Sequence, residues 1–195
     1  MVHPPPLTQN RNPFLKQSLP NILSVLRMIL IIPIAWGLWH HGATLTLPPL
    51  WLTLIIGIAF GTDALDGWIA RKKGYTTELG KLLDPVADKL LLLTLFAMAL
   101  LSGRISWFLL ALILLRDVII VWIGLRIRHK TGATPGARSL GKVTALMLIL
   151  TWVLVYYAPS FEELHLLSMV ITILFLVLSS IDYGRYAYKT LSNNT

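Results

Sequence analysis

Six stretches of this chain are long and apolar enough to cross a bilayer as helices, and no other feature restricts the fold as much. They run over Ile22 to Trp39, Leu47 to Ala70, Leu82 to Leu101, Ile105 to Leu125, Leu140 to Tyr157 and Leu164 to Ala187. A helix of about 20 mostly apolar residues spans the hydrocarbon. The expected fold class is therefore all-α, a polytopic membrane protein with six transmembrane helices forming one bundle over 20–190, without an internal repeat. Residues 1–19 are expected to form a cytoplasmic or interfacial segment. Within it, Leu7 to Leu19 mixes apolar residues with Arg11 and Lys16 as a helix lying on the membrane would, while Pro13 and Pro20 weigh toward a plain tail. The polar, proline-rich start from Met1 to Gln9 has neither an apolar core nor a small-residue cleavage site, so no cleaved signal peptide is expected.

Charge supports the membrane reading and orients the chain. Only 13% of residues are charged, against about 25% in an ordinary soluble domain. Seventeen Lys and Arg outweigh nine Asp and Glu, for a net charge of +8. Such basicity suits a membrane surface or a phosphorylated substrate, and with so little polar chain nucleic acid is not an expected partner. With the N-terminus on the cytoplasmic side, that side collects Arg11, Lys16, Arg71, Lys72, Lys73, Arg126, Arg128, Lys130, Arg138, Arg185 and Lys189. The opposite loops hold Arg104 beside Glu162 and Glu163. Lys and Arg are retained on the cytoplasmic side, so both termini are expected there. The chain has no cysteine, which removes disulfide and thiolate chemistry.

Four aspartates interrupt this apolar pattern. Asp63, Asp66, Gly67 and Ala70 fall at i, i+3, i+4 and i+7 and share a helical face; Asp84 and Asp88 fall at i and i+4 and share another. Carboxylates at membrane depth need a cationic partner. Oxygen donors without His or Cys suit a hard ion, Mg²⁺ or Mn²⁺. Four of them can hold two ions that stabilise the attacking and leaving oxygens of a phosphoryl displacement. Gly67, Ala70 and Gly80 remove bulk where phosphates approach the backbone, and Arg71 offers a fork of donors suited to a diphosphate. Pro85 is expected in the first turn of helix three, where its missing N–H is tolerated. Both acidic ends are expected to face the cytoplasm. The competing reading is an ion or proton pathway in a small ion-coupled transporter.

The segment 63–88 follows D-x2-D-G-x2-A-R-x8-G-x3-D-x3-D without a departure, and so resembles the CDP-alcohol phosphotransferase family. The resemblance extends to Pro20-Asn21 and Arg27 on helix one, Arg116 on helix four and Gly141-Lys142 at the opening of helix five. It implies a six-helix membrane fold, commonly dimeric, with a two-metal site open to the cytoplasm, in the cell membrane if the source is bacterial. On this sequence it implies that Asp63, Asp66 and Asp84 bind the metals, and that Asp88 adds a ligand or acts as the general base. Asp66, Gly67, Ala70, Arg71 and Gly80 would then hold the CDP moiety of CDP-diacylglycerol, and CMP would leave.

The acceptor alcohol is less constrained. Arg27, Arg116, Arg126 and Lys142 form the candidate pocket for a phosphorylated acceptor, which favours glycerol 3-phosphate. Leu19-Pro20-Asn21-Ile22-Leu23-Ser24 and the run from Gly80 to Lys89 are most similar to the phosphatidylglycerophosphate synthases of the family. Those usually carry Arg-Glu on helix four, where this chain has Arg116-Asp117. Arg-Asp is similar to the cardiolipin synthases, whose acceptor is phosphatidylglycerol. Arg116 and Asp117 point about 100° apart on a helix and need not pair, Asp182 is expected to pair with Arg185 at i+3, and Gly132 to Gly136 reads as a turn. The histidines at 3, 40, 41, 129 and 165 show no metal-ligand spacing.

Overall fold

The computed structural model describes the backbone of residues 13–42, 47–73, 78–131 and 138–192, with side chains there except those of 13–21, 63–73, 78–82, 84 and 131. Six helices fill it: α1 (Pro13–Gly42), α2 (Leu50–Lys73), α3 (Glu78–Leu101), α4 (Trp107–Thr131), α5 (Ser139–Tyr157) and α6 (Glu162–Ser192). Strands are absent among the described residues. Four stretches, Ile22–Gly42, Trp107–Lys130, Ser139–Tyr157 and Glu162–Ser192, are long and apolar enough to cross a membrane. The chain is a multi-pass membrane protein. Large apolar side chains such as Ile32, Leu50, Val118 and Leu166 are more than half exposed, a surface that suits lipid rather than water.

Two expectations about helix ends change. Residues 13–19 are the opening turns of α1 and not a separate helix, while 7–12 and the turn expected over 132–136 lie outside the described residues. Pro13 suits the first position of a helix, where its missing donor has no partner to lose. Pro85 is inside α3 and not in its first turn, because α3 begins at Glu78 rather than near Leu82. Its ring removes the hydrogen bond to the carbonyl of Lys81, a loss that membrane-protein helices accommodate.

The chain forms two compact units, Met1–Ile34 with Thr53–Leu91, and Ala35–Leu52 with Leu92–Thr195. In the first, Ser24, Arg27 and Ile34 of α1, Ile56, Ala59 and Thr62 of α2, and Ala87 and Leu91 of α3 are buried. In the second, α6 packs on both α4 and α5. The α5 face Thr144, Leu148, Thr151 and Val155 is buried, as are Ser168, Thr172, Leu176 and Ser179 of α6. Small hydroxyl residues let helix backbones approach and bond across membrane interfaces. Thr151 Oγ1 meets Thr172 Oγ1 at 2.7 Å, Thr144 Oγ1 donates to Phe175 O at 3.1 Å, and Thr172 Oγ1 donates to Met147 O at 3.3 Å.

The turn after α3 has a clear local cause. Gly103 has φ of 68°, a left-handed conformation that costs a side-chain-bearing residue about 1–2 kcal/mol. Gly103 N–H bonds Leu100 O at 2.9 Å and Arg104 N–H bonds Ala99 O at 2.9 Å, closing the helix end. The Arg104 side chain then donates to Val155 O at 2.9 Å and Gly42 O at 3.3 Å, and its guanidinium lies 4.6 Å from the Tyr156 ring centre. Carbonyls at the ends of α5 and α1 thus receive a cation, the charge that a helix C-terminus favours.

Candidate active site

The aspartates belong to the first unit, on α2 and α3. Asp63, Asp66, Gly67 and Ala70 occupy one face of α2, since the whole stretch is helical. Gly80, Asp84 and Asp88 recur every four residues within α3 and share one face of it. The connection between the two helices is only residues 74–77, a length that makes neighbouring helices antiparallel. Asp63 and Asp88 each stand ten residues from it, about 15 Å along their helices at 1.5 Å per residue. Asp66 and Asp84 stand seven and six residues from it, about 10 Å. Asp63 and Asp88 thus lie at equal distances along their helices from the connection, and Asp66 and Asp84 at a shorter, nearly equal one. The side chains of Asp63, Asp66, Gly67, Ala70, Arg71, Gly80 and Asp84 lie outside the described residues.

Asp88 is described. Its carboxylate accepts a hydrogen bond from Nη1 of Arg27, 61 positions earlier on α1. The Arg27 side chain is 0% exposed and that of Asp88 42% exposed. Thr62, one residue before Asp63, is buried with its hydroxyl bonded to Ala59 O at 2.9 Å. The local donor set is carboxylate oxygen without Cys or His, which fits a hard divalent cation. Among the described residues no three metal-ligating side chains gather, since three of the four aspartate side chains are outside them.

The other basic candidates lie in the second unit. Arg116 donates from Nη1 to Asp117 Oδ1 at 2.8 Å and from Nη2 to Ser179 Oγ at 3.1 Å. Adjacent residues on a helix do pair here, because a long guanidinium reaches across the 100° offset that separates their Cβ atoms. Gly141 stands close by: a Cβ there would lie 3.5 Å from Arg116 Nη2 and 3.6 Å from Tyr183 Cε2. Lys142 is exposed on α5. Arg126, also exposed, is ten residues further along α4, about 15 Å from Arg116, with its guanidinium 4.8 Å from the Trp122 ring centre.

Asp182 does not take the expected partner. Its two oxygens receive Nε and Nη2 of Arg138, the second at 2.8 Å, and these bonds hold the guanidinium above its ordinary pKa. A two-pronged Arg–carboxylate contact is stronger than the single-turn pairing with Arg185. Arg138 also lies 4.9 Å from the Tyr186 ring centre. The spacing of 44 residues gave no sequence signal for this pair. His165 likewise has an internal role, its Nε2 donating to Ala158 O at 2.8 Å and Leu154 O at 3.0 Å.

Known proteins are similar to this chain in sequence. A model of the CDP-alcohol phosphatidyltransferase family matches residues 17–179. The chain is similar to a probable phosphatidylglycerophosphate synthase of Mycobacterium tuberculosis, 28% identical over 181 residues that cover 89% of this chain and 83% of that protein. It is 32% identical over 180 residues to the CDP-diacylglycerol--glycerol-3-phosphate 3-phosphatidyltransferase of Aquifex aeolicus, covering 88% of this chain and 95% of the other. A putative cardiolipin synthase of Mycobacterium bovis is 34% identical over 116 residues, 60% of this chain and 51% of that one.

Proposed function

This chain belongs to the CDP-alcohol phosphatidyltransferase family, and we propose that it transfers the phosphatidyl group of CDP-diacylglycerol to glycerol 3-phosphate, forming phosphatidylglycerophosphate and releasing CMP. The observation that carries this reading is the spacing of Asp63 and Asp66 on one face of α2 and of Asp84 and Asp88 on one face of α3, at matching distances from the four-residue connection. Relatives named for that acceptor, covering 88% and 92% of this chain, support the choice of glycerol 3-phosphate.

Asp63, Asp66 and Asp84 would hold two divalent ions, Mg²⁺ or Mn²⁺, with Asp88 completing the ligand set or acting as base. When bound, such ions neutralise charge on the diphosphate and on the departing phosphate. Asp66 and Arg71 hold the CDP moiety, and Gly67, Ala70 and Gly80 let it approach the helix backbones. The acceptor hydroxyl passes its proton to Asp88. Its oxygen bonds to the phosphorus bearing diacylglycerol, and the bond from that phosphorus to the bridging oxygen breaks as CMP departs. Arg116, Arg126 and Lys142 are the proposed contacts of the acceptor's phosphate.

The charge distribution supports six spans with both termini and the acidic helix ends on the cytoplasmic side, in the cell membrane of a bacterial source. A homodimer, expected from the family resemblance, belongs to the same proposal. Cardiolipin synthesis from phosphatidylglycerol is the second reading. It is favoured by the Arg116–Asp117 pair and by the relative bearing that name.

Purified protein in bilayers, supplied with labelled CDP-diacylglycerol and each acceptor in turn, tests these readings. Phosphatidylglycerophosphate with equimolar CMP is the expected product. Cardiolipin would move the assignment to the second reading, and metal-dependent solute flux without CMP would point to a transporter.

A further inference from the structure

Arg27 and Asp88 differ sharply in access. The arginine side chain has no exposed surface, whereas the carboxylate that it contacts is 42% exposed. Ser24, one turn earlier on the same face of α1, is fully enclosed too. A cation removed from solvent in this way needs a compensating anion, and Nη1 of Arg27 donates to Oδ1 of Asp88. An arginine that receives a ligand's phosphate presents an accessible edge of its guanidinium. Here the accessible member of the pair is the acid, and the cation stands behind it.

We propose that Arg27 is a positioning residue of the transfer reaction, acting through Asp88 and not by contact with the acceptor. Its enclosed guanidinium holds one oxygen of Asp88, so that the carboxylate meets the reacting groups in a single orientation. Orientation matters at this scale, because a misplacement of about 1 Å in an active site costs on the order of 100-fold in rate. This inference rests on the proposed phosphatidyl transfer, and it gives Arg27 a role different from the acceptor pocket in which the sequence places it.

The test uses the full chain in bilayers with Arg27→Gln, Arg27→Lys, Asp88→Asn and the double variant R27Q/D88N. In R27Q, kcat should fall on the order of 100-fold while KM for glycerol 3-phosphate stays constant, and R27K should recover part of the loss. On the D88N background, adding R27Q should cost several-fold less turnover than it does in the wild type, because the two changes interrupt one shared contact. A second measurement needs no turnover: melting temperatures in detergent with chelator present. D88N, which removes one anionic partner of an enclosed cation, should melt lower than wild type, and R27Q/D88N should regain part of that loss. If R27Q does not fold, R27K and the double variant carry the comparison. A raised acceptor KM with kcat preserved would make Arg27 a substrate contact and overturn the inference. Independent, multiplying losses in rate or melting would overturn it as well. Wild-type protein that releases no CMP from CDP-diacylglycerol would instead remove the reaction itself.

Discussion

Asp63 and Asp88 stand at equal distances along their helices from the four-residue connection, ten residues before the last residue of α2 and ten after the first of α3. Carboxylates gathered at membrane depth repel unless a cation lies among them. On the proposed function, this spacing makes activity depend on a divalent ion.

Chelation should abolish CMP release from CDP-diacylglycerol, and adding back Mg²⁺ or Mn²⁺ should restore it. Asp63→Asn and Asp84→Asn should each lower turnover on the order of 10³-fold, the scale at which one charge-stabilising contact is lost. Turnover that survives exhaustive chelation would rule out the metal assignment.

Asp88→Asn separates chemistry from binding. General-base catalysis contributes about 10²–10⁴-fold, and kcat should fall within that range while the affinity for CDP-diacylglycerol changes little. Stopped-turnover binding assays beside steady-state kinetics make the comparison. Wild-type-like turnover would end the base assignment.

Arg116→Lys addresses the acceptor. Lysine has one charged nitrogen and cannot reproduce the simultaneous bonds to Asp117 and Ser179. KM for glycerol 3-phosphate should rise about tenfold or more, consistent with the loss of a charge-assisted hydrogen bond worth about 1.5–3 kcal/mol. A fall in kcat at constant acceptor KM would place Arg116 outside acceptor recognition.

Arg104→Met should behave in the opposite way, with stability lowered and kinetics kept. The arginine's bonds to Val155 O and Gly42 O are charge-assisted, and their loss should cost about 1.5–3 kcal/mol, read as a lower melting temperature in detergent. An unchanged melting temperature would show that this contact does not stabilise the fold.

What was legible in the sequence was local. Apolar runs separated by polar connections placed the helices, and the spacing from Asp63 to Asp88 placed the acidic faces, because both depend on neighbours within a few turns. Pro85 was misplaced since a proline inside a helix loses only one backbone bond, and the glycine at 80 does not stop α3 from starting earlier. The pairings were illegible. Arg27 with Asp88 and Arg138 with Asp182 join residues 61 and 44 positions apart, and side-chain reach in three dimensions decides them. Helical angles leave the pairing of Arg116 with Asp117 open for a related reason: they locate Cβ atoms, whereas a guanidinium extends well beyond its own.

α5 and α6 are fastened at three heights: by Arg138 to Asp182 at one end, by Thr151 to Thr172 along the middle, and by His165 to Ala158 at the other. A slip of one helical turn, about 5.4 Å, would break all three at once, so the two helices cannot slide past each other in small steps. Sliding one helix along the other therefore costs all three contacts together.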